Sequence, residues 1–96
     1  DLFGYFSLPI LWDGRLVARM DCKADRKSSV LHIHYLSLEP WFKKREAFAQ
    51  ALCKELESFL QFNECKHLQI QKTSPAGFRS ELEKVIKVFS NIHNIL

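Results

Sequence analysis

The chain predicts an α+β domain in the order β-β-β-α-β-α: a three-stranded antiparallel meander plus one further strand, with two helices packed on one face. Three observations carry this expectation. Apolar and polar residues alternate through the segment before Pro40, the apolar period becomes helical after it, and two short polar turns cut the first part into three runs. With 96 residues, 47% of them apolar and 26% charged, the chain can bury one modest core, so a single folded domain over residues 1–96 is expected rather than a disordered chain.

Tyr5 to Trp12 is apolar and extended, and Asp13-Gly14 supplies the positive φ that a tight hairpin needs. Arg15 to Ala24 returns, with Leu16, Ala18, Met20 and Cys22 alternating against Arg15, Arg19, Asp21 and Lys23. Asp25-Arg26-Lys27-Ser28 is a second turn into Ser29 to Leu38. Setting Trp12 opposite Arg15 places Leu11 opposite Leu16 and Leu8 opposite Arg19. Setting Ala24 opposite Ser29 places Met20 opposite Ile33, Arg19 opposite His34 and Asp21 opposite His32.

One face then holds Leu11, Leu16, Ala18, Met20, Cys22, Leu31, Ile33 and Tyr35, a core face. The other mixes Leu8, Ile10, Trp12 and Val17 with Arg15, Arg19, Asp21, Lys23, His32 and His34. The apolar end of that second face is expected to be covered by another part of a longer protein.

After Pro40, Phe48, Leu52, Leu56 and Phe59 recur at helical spacing, and Asn63 is a candidate left-handed stop. Leu68 to Lys72 reads as a short strand. Ser74-Pro75 reads as an N-cap with proline in the first turn, ahead of a helix whose stripe is Phe78, Leu82, Val85, Ile86 and Phe89.

A net charge of +3 permits nucleic-acid binding without requiring it. Three cysteines, Cys22, Cys53 and Cys65, show no framework spacing and fit a reducing, cytoplasmic compartment. No apolar run approaches the roughly 18 residues of a membrane span, and no signal peptide is visible, so no membrane partner is expected. The start at Asp1 fits a fragment of a longer chain.

The run Gly4-Tyr5-Phe6-Ser7-Leu8-Pro9-Ile10-Leu11, followed by Arg15-Leu16-Val17-Ala18-Arg19-Met20-Asp21-Cys22-Lys23-Ala24-Asp25-Arg26-Lys27 and closed by Leu36-Ser37-Leu38-Glu39-Pro40, resembles the C-terminal domain of the bacterial winged-helix DNA glycosylases of the YcaQ-like, interstrand-crosslink family. Ala18 stands where that family usually has glycine, and Cys22 at a commonly aliphatic position. The resemblance implies a parent that excises alkylated or crosslinked bases without a metal or redox cofactor. It also implies a catalytic pair, glutamine, a hydrophobic residue, then glutamine or aspartate, in a winged-helix region upstream. No catalytic residue is then expected within residues 1–96, and the partners implied are DNA, through the parent protein, and winged-helix domains of the same chain.

Gln69-Ile70-Gln71 has the same short pattern, but it lies on the wrong side of the family signature and reads as a half-exposed strand. The candidate nucleic-acid-binding residues are Arg19, Lys23, Arg26 and Lys27, two on a strand and two at the hairpin tip behind which it runs. Such cations can hold phosphates, anchor to a carboxylate of a neighbouring domain, or simply be solvated. Lys43-Lys44-Arg45 opposes a helix dipole and reads as a solvated face. His32, His34 and the Cys65/His67 pair lack the spacing of a zinc site, so no metal is expected.

Two rival readings remain. One is a protein-interaction or domain-docking module using Leu8, Ile10, Trp12 and Val17. The other, more remote, is an acyltransferase, whose core resembles this element order but needs a glycine-rich turn before its helix; Leu38-Glu39-Pro40 is not one.

Overall fold

Two reversals set the register on which everything else depends. In the computed structural model, which describes residues 5–92, 94 and 95, the chain runs β1 (Tyr5–Trp12), β2 (Arg15–Asp25), β3 (Val30–Leu38), α1 (Arg45–Phe62), β4 (His67–Ile70), β5 (Thr73–Ser74) and α2 (Phe78–Phe89). Gly4 of the signature lies outside the described residues. At the first turn Asp13 and Gly14 both take positive φ, 56° and 75°, which matches the strand twist of a two-residue hairpin.

The second turn keeps its four residues but lies one residue later than expected. Asp25 stays in β2 and pairs with Val30, leaving residues 26–29 as the loop. The Asp25 carboxylate accepts the backbone N–H groups of Lys27 (3.2 Å) and Ser28 (3.3 Å), and Ser29 closes the loop at φ 63°. Ala24 therefore meets Leu31 rather than Ser29. The displacement is even, so Leu31 and Ile33 keep the core face.

The strands run β1-β2-β3-β4 across the sheet, antiparallel through β3; β4 and β5 both pair parallel with β3. Beyond β4, the Leu68 N–H donates to the Asn94 carbonyl (2.8 Å), which covers that edge. Pro9 sits on β1 at the other edge, where a missing donor is tolerated.

Two bulges correct the expected faces. In β2 the register slips opposite Ile10/Leu11, so Val17 is an extra residue and both Val17 and Ala18 are buried. Leu8 then faces Met20 rather than Arg19, and Leu8, Ile10 and Trp12 turn toward the helices, where Trp12 meets the rings of Phe42 and Phe48 edge-on. Leu11, expected in the core, is 69% exposed, and Leu16 is exposed beside it. The interaction surface built from Leu8, Ile10, Trp12 and Val17 is thus the domain's own core margin. In β3 a second slip between the partners of Asp21 and Cys22 makes His34 the extra residue; Tyr35, expected in the core, pairs with Asp21 and lies on the opposite face, while Leu36 and Leu38 turn inward.

The core lies between one sheet face and the two helices. Ala18, Met20, Cys22, Leu31, Ile33 and Leu36 meet Phe48, Leu52 and Leu56 of α1 and Phe78, Leu82 and Ile86 of α2. Burying each of the larger side chains contributes about 1.5–3 kcal/mol. Phe89, expected on the α2 stripe, is exposed at the last residue of α2.

Both helix boundaries differ from expectation. Asn63 caps α1 at φ −89°, with its Nδ2 donating to the Phe59 carbonyl (2.9 Å); the left-handed residue is Glu64. Ser74 is drawn into pairing with Ser37, so it cannot cap α2, which starts at Phe78 after Gly77. Thr73 Oγ1 instead donates to the Pro75 carbonyl (2.8 Å).

Candidate nucleic-acid interface

Alternation along four strands places a polar set on the sheet face away from the helices. The strand pairings arrange it in rows. Tyr5, Lys23, His32 and Gln69 lie opposite one another from β1 to β4; Ser7, Asp21 and Tyr35 form the next row, and Pro9, Arg19 and Ser37 the third. Arg19 is exposed and Lys23 half-buried, neither entering the core. The row of Lys23 leads directly to the hairpin tip, where Arg26, Lys27 and Ser28 are exposed.

The four expected cations do not form one equivalent set. Arg19, Lys23 and Lys27 project from the surface, whereas Arg26 Nε donates to the Asn63 carbonyl (3.3 Å) and ties the hairpin tip to the end of α1. Asp25, bound first by Ser28 and then by Lys27, has its carboxyl held below the usual carboxylate range, so the tip is a built turn rather than a loose one.

Asp21 does not pair with His32. It lies opposite Ser7 and accepts from its hydroxyl (2.7 Å), and across β3 it meets Tyr35, because the displaced loop and the bulge at His34 moved the β3 register. The histidines find glutamines instead. Nδ1 of His32 is 2.7 Å from Oε1 of Gln69, and Nδ1 of His34 is 2.9 Å from Oε1 of Gln71. Gln71 Nε2 donates to Gln69 Oε1 (3.4 Å) and completes a four-membered polar ladder. Gln69 and Gln71 do share a face, as alternation implied, and both are occupied by histidine.

Rings lie among these groups. His34 is near-parallel to His32 (8°, 5.9 Å between centres) and stacks at 6.2 Å on Tyr5. Lys23 Nζ is 5.1 Å from the Tyr5 ring centre, and Lys72 Nζ is 5.2 Å from that of Tyr35. Tyr5, Tyr35 and Lys72 were not among the expected site residues. The β3 bulge that turned Tyr35 outward has no signature in the sequence; the alternation of Tyr5 with Phe6 could have placed Tyr5.

The remaining candidates do not join this face. Burial pushes the Cys22 thiol up to about 11, with the Asp21 charge adding to it, and burial likewise raises Cys53 and Cys65. Such thiols are poor nucleophiles. Arg45 of the basic Lys43-Lys44-Arg45 run is paired with Glu81 of α2. Among the described residues no group of three or more His, Cys, Asp and Glu side chains is placed to hold a metal ion, and no helix is long and apolar enough to cross a membrane.

The arrangement offers cations, ring faces and hydrogen-bonding edges on one surface. A protein-family model, DNA glycosylase AlkZ-like, matches residues 3–62, from before β1 to the end of α1. No solved structure matches the chain.

Proposed function

Because the chain belongs to the AlkZ-like DNA glycosylase family, we propose that it is the accessory DNA-engaging part of a DNA-repair glycosylase, and that base excision is carried out by residues of a winged-helix region outside residues 1–96. The observation that carries this is the course of Arg19 and Lys23 along the open sheet face toward Lys27 at the hairpin tip. Cations on a strand and at its protruding turn can contact a phosphate backbone and position a protein on DNA without reading its sequence. In this reading Arg26 holds the tip in place and contacts DNA less than its neighbours.

The substrates would be alkylated or crosslinked bases, the parent would supply winged-helix domains to the same DNA, and the three unpaired thiols suit a cytoplasmic setting. Binding to a short duplex, followed by fluorescence anisotropy as salt rises from about 50 to 200 mM, tests the reading: three or four phosphate contacts would weaken affinity on the order of 100-fold over that range. A flat response would remove DNA engagement.

A second reading is domain docking without DNA contact. It is favoured by an open groove of about 390 Å³ between β1 and α1, where Leu8, Ile10, Trp12 and Phe59 are only partly covered and Leu11 is exposed. Substituting Leu11 by Glu would then release a neighbouring domain of the parent and leave DNA affinity of this chain unchanged.

A further inference from the structure

We infer that the open sheet face is a stacking platform for unpaired nucleotides, with Tyr5, His34 and His32 receiving bases and Lys23, Arg19 and Lys72 receiving the phosphates between them. The inference rests on the DNA-engaging reading and goes beyond it by naming the form of nucleic acid.

A surface meant only for duplex backbone needs cations and little else. Here the cations are interleaved with rings. Tyr5 is 55% exposed at the sheet edge and carries Lys23 Nζ 5.1 Å from its centre; Tyr35 carries Lys72 Nζ at 5.2 Å. Duplex bases hide their faces in the stack, so exposed rings gain nothing from them. Unpaired bases present a π-face to any ring that is held ready, and their phosphates fall beside the flanking lysines.

The rings are held ready by two devices. The bulge at His34 presents His34 and Tyr35 consecutively near the outer face, where regular alternation would have sent one inward. The glutamines then fix the histidines: Gln69 at 2.7 Å from His32 and Gln71 at 2.9 Å from His34, themselves joined at 3.4 Å. A side chain fixed before binding loses less rotamer freedom on binding. Four strands at about 4.8 Å spacing make a face roughly 14 Å across, room for two or three stacked bases.

Charge and composition argue for the same occupant. The carboxylate on the central rows, Asp21, is engaged by the Ser7 hydroxyl. The three rows that begin at Tyr5, Ser7 and Pro9 carry no large aliphatic side chain; the exposed Leu11 and Leu16 lie beyond them, beside the Asp13-Gly14 turn, so a protein or lipid partner would find apolar side chains only at that far end.

The test is anisotropy binding of the full chain to a single-stranded deoxythymidine oligomer of about 12 nucleotides and to a duplex of the same length, with Tyr5→Ala, His34→Ala and Tyr5→Phe variants whose folding is verified by circular dichroism. Single strands should bind about tenfold more tightly than duplex, Tyr5→Ala and His34→Ala should each lose roughly 5- to 50-fold on single strands with little change on duplex, and Tyr5→Phe should retain binding. Equal affinity for both forms, or an alanine variant that leaves single-strand binding intact, would overturn the stacking platform while leaving the DNA-engaging reading standing. Failure to bind either form would overturn both.

Discussion

Lys23 lies directly across the β1–β2 pair from Tyr5, with its Nζ 5.1 Å from the centre of the ring. The contact parks a cation over an aromatic face instead of leaving it to sweep through solvent, a contribution of about 0.5–1 kcal/mol at an exposed site. The same pairing places Lys23 beside His32 on its other side, so one lysine joins the edge strand to the histidine–glutamine ladder. Charge, ring and hydrogen-bonding edge are thereby brought into one row by strand register alone.

Register is itself testable. Since the β2 bulge turns Ile10 toward the helices and leaves Leu11 in water, Ile10→Ala is expected to cost about 1–2 kcal/mol in chemical unfolding and Leu11→Ala less than about 0.5. The reverse order would restore the unbulged pairing that strict alternation implies.

Asn63 is wholly buried, and its Nδ2 satisfies the Phe59 carbonyl at the end of α1. Asn63→Ala should lower stability by roughly 1–2 kcal/mol and the melting temperature by several degrees. The Arg26 bond goes to the backbone oxygen of residue 63 and survives the change, so the hairpin tip should keep its amide shifts.

The three thiols are buried and their ionisation is disfavoured, Cys22 up to about 11. A raised value in the fold means that its contribution to stability is complete below about pH 9 and is lost as the pH climbs toward about 11. At about pH 8 a disulfide reagent should label the native chain slowly and all three cysteines promptly in denaturant. Rapid labelling of Cys22 in the native chain would contradict its burial.

Asp25 works in the opposite direction. Its carboxyl is held low by the N–H groups of Ser28 and Lys27, so the stabilisation is present above the ordinary value of 3.8 and disappears as the pH falls through the lower, folded value. Amide resonances of Lys27 and Ser28 should therefore move together on acidification below that point, and Asp25→Ala should abolish the transition. Amide shifts that stay fixed through that range would mean the carboxylate does not hold the turn.

The meander and the two helices were legible in the sequence because period and turn chemistry agree there: Asp13-Gly14 for the hairpin, the Phe48-Leu52-Leu56 stripe for α1, Phe78-Leu82-Ile86 for α2. What alternation could not reveal was where it breaks. One extra residue at Val17 and one at His34 exchanged Leu8, Ile10 and Tyr35 with their expected faces. Of the site, Arg19 and Lys23 were readable as polar alternates, and Lys27 as a turn residue. Tyr35, Lys72 and the pairing of histidines with glutamines depend on the bulge and on the parallel β3–β4 register, which are set by tertiary packing.

The central claim is that Arg19 and Lys23 hold phosphates from the open face of the sheet. The most direct measurement is the salt dependence of DNA binding by the native chain and by the Arg19→Ala, Lys23→Ala double variant. Loss of two phosphate contacts should reduce the slope of log affinity against log salt by about 2 on duplex, with circular dichroism unchanged. An identical slope in the two proteins would contradict the claim.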